Sequence, residues 1–215
     1  MNRDFLLRIK DVSLCLLVAK NYELLLGRLE IQKVIYLVDS ISAYLFVLSG
    51  TKGHQTYFYG PYDKNIQNAL DALVIRDLAE ICDIKVANNT VSCNYLITDS
   101  GMRWTNNLIK ASASIQYRVQ IVDGVIYSLV ERNRIHKVKD LVYAEPLYAA
   151  TKNYGHHYDL DFEHENSGHD YLALIEHYLK NNKDQTNIRF IADLYIDYLS
   201  SRDQILLGNS FTGGD

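Results

Sequence analysis

Proline is nearly missing from this chain: among 215 residues there are two, Pro61 and Pro146. A proline in a helix interior costs about 3 kcal/mol, so long proline-free stretches favour a helical chain and make each proline a boundary mark. Cysteine is scarce as well. Cys15, Cys82 and Cys93 are odd in number, sit in apolar segments and show no C-x-x-C spacing. That excludes a disulfide framework or a thiolate zinc site and suits a reducing cytoplasm, with the thiols packed as small apolar residues. Excess positive charge is absent too. Lys plus Arg total 22 against 26 Asp plus Glu, a net charge of −4, so no overall field draws the chain to nucleic acid. The longest apolar run, residues 34–48, carries Asp39, Ser40 and Ser42 and falls short of the roughly 20 residues that span a bilayer. Arg8, Lys10 and Asp11 interrupt the opening segment, and no small-residue cleavage site follows, so it reads as helix rather than leader. The expectation is a cytoplasmic protein without a membrane span.

What is present is helical periodicity. Phe5, Ile9, Val12, Leu16 and Ala19 form one stripe over 4–20; Ile31, Val34, Ile35, Val38, Ile41 and Leu45 form another over 28–48, with Glu30, Lys33 and Asp39 pointing mostly away from the core. Residues 49–54 read as a turn and 55–59 as at most a brief strand. After Pro61, Ile66, Ala69, Leu70, Leu73 and Val74 predict a helix capped by Asp63, with Asn65, Gln67, Asn68 and Asp71 outward. Val91, Cys93, Tyr95 and Ile97 alternate with less apolar neighbours, and Asn88-Asn89 supplies a turn, which predicts a β-hairpin. Helix resumes near residue 99 and dominates the second half: 114–131, a shorter one ending near Pro146, a long loop over 154–168, a helix opened by Ser167 and Asp170, and 188–206. The predicted fold class is mostly α with one β-hairpin. Its expected division is a winged-helix-like domain at 1–112, a helical extension at 113–207 and a flexible tail at 208–215.

Three stretches carry a family resemblance: "GRLEIQKVIYLVDS", "FYGPYDKNIQNALDALVIRDLAEI" and "YLITDSG". Together, across residues 27–101, they resemble the Panacea or SocA-like antitoxin domain. The matching positions are Ile31, Gln32, Lys33 and Tyr36, the hinge Tyr59-Gly60-Pro61, Leu70 and Leu73, and the closing Tyr95, Thr98 and Gly101. Glu30 stands where that family has a lysine, and the long helical second half is a further departure. "LVYAEPLYAATKN" is similar to segments of small middle components of Lamassu-type defence systems built around an SMC-like ABC ATPase. What the resemblance implies is a winged-helix-like, non-catalytic adaptor or accessory subunit, antitoxin-like, whose partner is a toxin, nuclease or SMC-like ATPase encoded nearby.

Other chemistries are weighed on the residues themselves. The outward face of the 63–77 helix offers Lys64, Asn65, Gln67 and Asn68, with Arg76 the other cation, and Asp63, Asp71 and Asp77 offset them. Base reading without phosphate anchors binds weakly, so a DNA-binding regulator is the alternative and nucleic acid a secondary partner. Arg132, Arg134, Lys137 and Lys139 cluster with His136, either as a solvated helix end or as a contact for an anionic surface. His156, His157, His164 and His169 lie among carboxylates, the ligand set of zinc, iron or manganese. A zincin helix needs H-E-x-x-H, and after His164-Glu165 the second histidine falls one residue late, at His169. A metal-dependent hydrolase using loop 156–169 is therefore the second alternative, while the expectation is no metal and no cofactor. No G-x-S-x-G and no Gly-rich phosphate loop occur, and an acidic, partner-binding loop is the simpler reading of 154–168.

Overall fold

The computed structural model describes residues 3–45, 53–87, 90–162, 167–181 and 187–210, with backbone alone at 178–181 and 207–210. The Asn88-Asn89 turn, His164 and the tail from residue 211 therefore lie outside the described residues, while 208–210, expected in the flexible tail, continue the last helix. Two central helices organise the rest. In α1 (Arg3–Asn21) every residue from Asp11 to Ala19 is buried, and in α2 (Arg28–Tyr44) every residue from Ile31 to Ser42 is. The expectation that Lys33 and Asp39 face away from the core is wrong: they are 2% and 3% exposed. The reason is that α2 is covered on several sides, by α1, α5, α6 and α8, so periodicity marks its most apolar face without making the opposite face wet.

The α3 helix (Lys64–Ile75) follows its expected pattern. Asp63 caps it by accepting from the Asn65 N–H at 2.7 Å, and Ile66, Ala69, Leu70 and Leu73 bury against α1. It ends with Asp77 at φ 56°, where the Leu78 N–H returns to the Leu73 carbonyl, a Schellman-type stop. Strands β2 (Ala79–Ala87) and β3 (Thr90–Ile97) then form the expected hairpin. A third strand went unforeseen: β1 (Leu26–Gly27) pairs with β3, Leu26 opposite Tyr95, to give an antiparallel sheet of order β1-β3-β2. Two residues carry no alternation, which is why the sequence does not betray it. Only the base of the hairpin is buried, through Ala79, Tyr95 and Ile97; Ile84, Val86 and Val91 stand exposed toward the tip. Cys82 and Cys93 lie half-buried on these strands rather than in the core, where Cys15 alone of the three resides.

Thr98 caps α4 (Asp99–Ala111), accepting from the Gly101 N–H at 3.0 Å. Beyond Ser112, α5 (Ala113–Glu131) packs on α1, α2 and α4, and α9 (Ile188–Ser210) lies along α5 and α6 (Val138–Ala144). The shorter helix ends near Pro146 as expected, at Ala144, and Pro146 itself opens α7 (Pro146–Thr151), because a proline at the first helical turn lacks only a donor that has no intrahelical acceptor. The α8 helix (Ser167–Asn181) packs on α9 and α7. The chain is thus mostly helical with one small antiparallel sheet, and among the described residues no helix is long and apolar enough to cross a membrane.

Candidate binding surface

The charges that a site would use are first sorted by burial, and the largest cluster lies inside. Arg8 donates to Asp63 (2.6 Å), Asp39 (2.7 Å) and Asp11 (3.0 Å). Arg118 reaches from α5 to Asp11, Asp39 and the Ser42 hydroxyl. His54 Nε2 meets Asp39 at 2.9 Å. Burial pushes the Asp39 carboxyl up, but Arg8 and Arg118 overcome that and hold it well below the usual carboxylate range. Burial lowers His54, against the pull of Asp39, so its ring is neutral at pH 7. This constellation has no opening to solvent: all five charged residues and His54 are buried, and its role is to lock α1, α2, α3 and α5 together.

Of the resemblance-bearing residues, Gln32 and Lys33 reach the segment that leads into this cluster. Gln32 clamps Asp63 through both its backbone groups, donating to the carbonyl and accepting from the N–H. Lys33 donates to the Pro61 carbonyl at 2.6 Å. Tyr36 donates to Glu145 at 2.6 Å, and Glu145 also accepts from the Tyr148 N–H and the Tyr195 hydroxyl. Burial raises the Glu145 carboxyl despite those donors. Tyr95 holds its hydroxyl to Arg28, and Thr98 and Gly101 close the hairpin onto α4. Apart from Tyr59, these residues build the interior rather than a surface.

What that interior supports is an exposed aromatic face. Gly60, at φ 92°, closes a turn with its N–H on the Tyr57 carbonyl and leaves Tyr57, Phe58 and Tyr59 projecting outward. Residues 154–160 run alongside and fix that turn. The Thr56 N–H donates to the Tyr158 carbonyl, the His157 N–H to the Thr56 carbonyl and the Leu160 N–H to the His54 carbonyl, all at 2.8–2.9 Å. Phe58 and Tyr59 are 65% and 66% exposed, Tyr154 is 65% exposed, and Tyr158 is also open. His156 lies tilted against Phe58 with ring centroids 3.9 Å apart, and His157 lies 5.5 Å from Tyr57. Lys139 of α6 completes the rim, its ammonium 5.5 Å from the Tyr59 ring and 5.2 Å from that of Tyr143. Three stretches that looked separate in sequence thus form one surface: the Gly-Pro hinge, the end of the basic segment and the histidine loop.

The other candidates disperse. Arg132 is held by Asp193 and Asp197, and Arg134 by Asp203, so half of the basic cluster ties α5 to α9. Lys137 is exposed at the end of a 3₁₀ turn, Ile135–Lys137. Lys64 and Asn68 are exposed on α3 and Asn65 and Gln67 half-exposed, while Asp63, counted with them in the sequence, is internal. His169 sits on α8 beside Tyr44, away from His156 and His157. Among the described residues no group of three His, Cys, Asp or Glu is placed to hold a metal ion. The aromatic face was missed as a unit because its two halves are about a hundred residues apart, although each half is visibly Tyr- and His-rich in sequence. No protein-family model matches this chain, and no curated protein matches it.

Proposed function

We propose that this chain is a non-catalytic, protein-binding subunit that docks a partner on the aromatic face of Tyr57, Phe58, Tyr59, Tyr154 and Tyr158. The observation that carries the reading is that five aromatic side chains stand open on a loop pinned by backbone hydrogen bonds. Tyr and Phe are enriched in the anchoring centres of protein interfaces, and a pinned loop loses little entropy on docking. The antitoxin-like assignment is supported by the element order α1-β1-α2-α3-β2-β3, the order of a winged helix, and by the convergence of Gln32, Lys33, Gly60 and Pro61. On that assignment the partner is a toxin, nuclease or SMC-like ATPase encoded nearby, and the three free thiols fit a cytoplasmic location.

Affinity purification of the tagged chain from its own cells, followed by identification of the retained proteins, tests this. Phe58→Asp and Tyr154→Asp are expected to melt like the parent and to lose the partner, since an anchoring aromatic contributes about 2 kcal/mol, roughly thirtyfold in Kd. Retention of the partner by both variants overturns the docking face. DNA binding is the second reading, favoured by the exposed polar face of α3 beside a protruding hairpin. A shift of duplex DNA at physiological salt that disappears in Lys64→Glu would place that reading first.

A further inference from the structure

Between α1, α5 and the start of α9 lies a cleft of about 350 Å³ that the docking face does not use. Val18 and Val119 give it an apolar lining, and Asn21, Gln120 and Asn187 stand exposed at its edge. Asp123 and Arg189 complete the wall. The close approach of α9 to α5 fixes its shape. Gly124 permits that approach, since a Cβ there would lie 2.7 Å from the Ala192 Cβ and 3.0 Å from the Arg189 Cα. Tyr127 then carries the Arg189 side chain, with the guanidinium carbon 3.9 Å from its ring centroid.

Asp123 and Arg189 face each other without closing. Arg189 Nη1 and Asp123 Oδ2 are 3.5 Å apart, beyond a good hydrogen bond, and the side chains are 41% and 32% exposed for Arg189 and Asp123. The Tyr22 hydroxyl holds both from one side, donating to Asp123 Oδ1 at 2.9 Å and accepting from Arg189 Nη2 at 3.3 Å. Among the described residues the two charged groups make no other side-chain hydrogen bond. One turn on along α9 the geometry is different: Asp193 closes on Arg132 at 2.5 Å and also accepts from the Ser128 hydroxyl at 2.7 Å. The open pair is particular to the cleft.

That pair decides what the cleft takes. An anion would meet Arg189 but be repelled by Asp123, and a cation the reverse. A ligand carrying both signs a few ångströms apart answers both groups and fills their unused hydrogen-bonding positions. The helix ends agree. Asn187 caps α9 by accepting from the Arg189 N–H at 3.0 Å, which puts the partial positive end of α9 beside the guanidinium, whereas α1 ends at Asn21 with its partial negative end. The volume is at the lower end for small-molecule sites and suits a small metabolite rather than a nucleotide, and the two valines suit an aliphatic group.

We propose that this cleft binds a free α-amino acid with an aliphatic side chain, its carboxylate on Arg189, its ammonium on Asp123 and its side chain against Val18 and Val119. The site shares no residue with the aromatic face and does not depend on a partner docking there.

Isothermal titration calorimetry of the full chain with L-leucine tests it. Saturable one-to-one binding is expected with a Kd at or below about 1 mM, modest because the ligand is small. Isocaproate keeps the carboxylate and side chain of leucine without the ammonium, and isoamylamine keeps the ammonium without the carboxylate. Each is expected to bind about tenfold more weakly or worse, as is leucine to Asp123→Asn and to Arg189→Gln. Because those two substitutions also disturb Tyr22, Gln120→Trp provides a variant that keeps the charged pair and blocks the space from an exposed position. It is expected to melt like the parent and to bind no leucine. Absence of saturable leucine binding overturns the site, and so does leucine binding that survives in Gln120→Trp, which would place the ligand elsewhere. Equal affinity for leucine and either single-charge analogue overturns the zwitterion assignment.

Discussion

Asp39 shows how much one residue decides. It takes bonds from Arg8, Arg118 and His54, and every one of these partners lies on a different segment. Asp39→Asn leaves two buried guanidinium groups short of charge, so a loss of about 3 kcal/mol or more in urea unfolding is expected. The pH dependence follows from the directions of shift. The Asp39 carboxyl is held low in the fold, so its stabilisation is present above the unfolded carboxylate range and lost as pH falls through the folded value. His54 is also lowered; the unfolded chain takes up a proton first, and stability falls as pH drops below the ordinary histidine range. Between about pH 7 and pH 5, His54→Gln should therefore lose less stability than the parent, as the variant has no imidazole to protonate on unfolding. Lys33 works at the other end. Its folded value of about 7 lies below the ordinary 10.5, so the unfolded chain holds the extra proton and stability rises with pH from neutrality upward. Lys33→Met should flatten that rise in urea melts between about pH 7 and pH 9. None of this was legible residue by residue: Lys33 and Asp39 read as polar breaks on a helix face.

At the scale of elements, more was visible. The spacing of Ile66, Ala69, Leu70 and Leu73 and the cap at Asp63 predicted α3, and the structure bears them out. The Tyr95, Thr98, Gly101 signature marked the end of the hairpin, and its physical reason is now plain. A Cβ on Gly101 would lie 2.0 Å from the Leu78 carbonyl oxygen, where backbone cannot retreat as a side chain would. Gly101→Ala is expected to prevent the sheet from closing on α4 and to lower the melting temperature sharply, whereas Thr98→Ala removes one cap for about 1 kcal/mol. Calorimetry of the two variants separates these effects; equal losses would count against the close-packing account. The apolar alternation of the hairpin runs farther than its burial. Val91 starts the apolar alternation yet stands open with Val86, because the tip of a long hairpin outruns the core that covers its base.

Over the whole molecule, the expected boundary near Ser112 falls between α4 and α5, and side chains from beyond it complete the first half. Arg118 supplies the second cation for Asp11 and Asp39, and Glu145 accepts the Tyr36 hydroxyl. Residues 1–112 alone would leave those carboxylates and that phenol without these partners, so the fragment is expected to lack a cooperative thermal transition that the full chain shows. A sharp calorimetric transition in the fragment would instead make the first half an independent folding unit. The amino-acid sequence by itself determined the longer helices and the hairpin, where caps begin helices, and that the chain is mostly helical, because periodicity and capping act within a turn or two of backbone. Only the tertiary structure decided that Lys33 and Asp39 lie inside, that a two-residue strand completes the sheet, and that the Gly-Pro turn, Lys139 and the histidine loop share one face. Those outcomes depend on which distant segments cover a given side chain, as Arg8 meets Asp63 and Thr56 meets Tyr158, and no local pattern encodes that coverage.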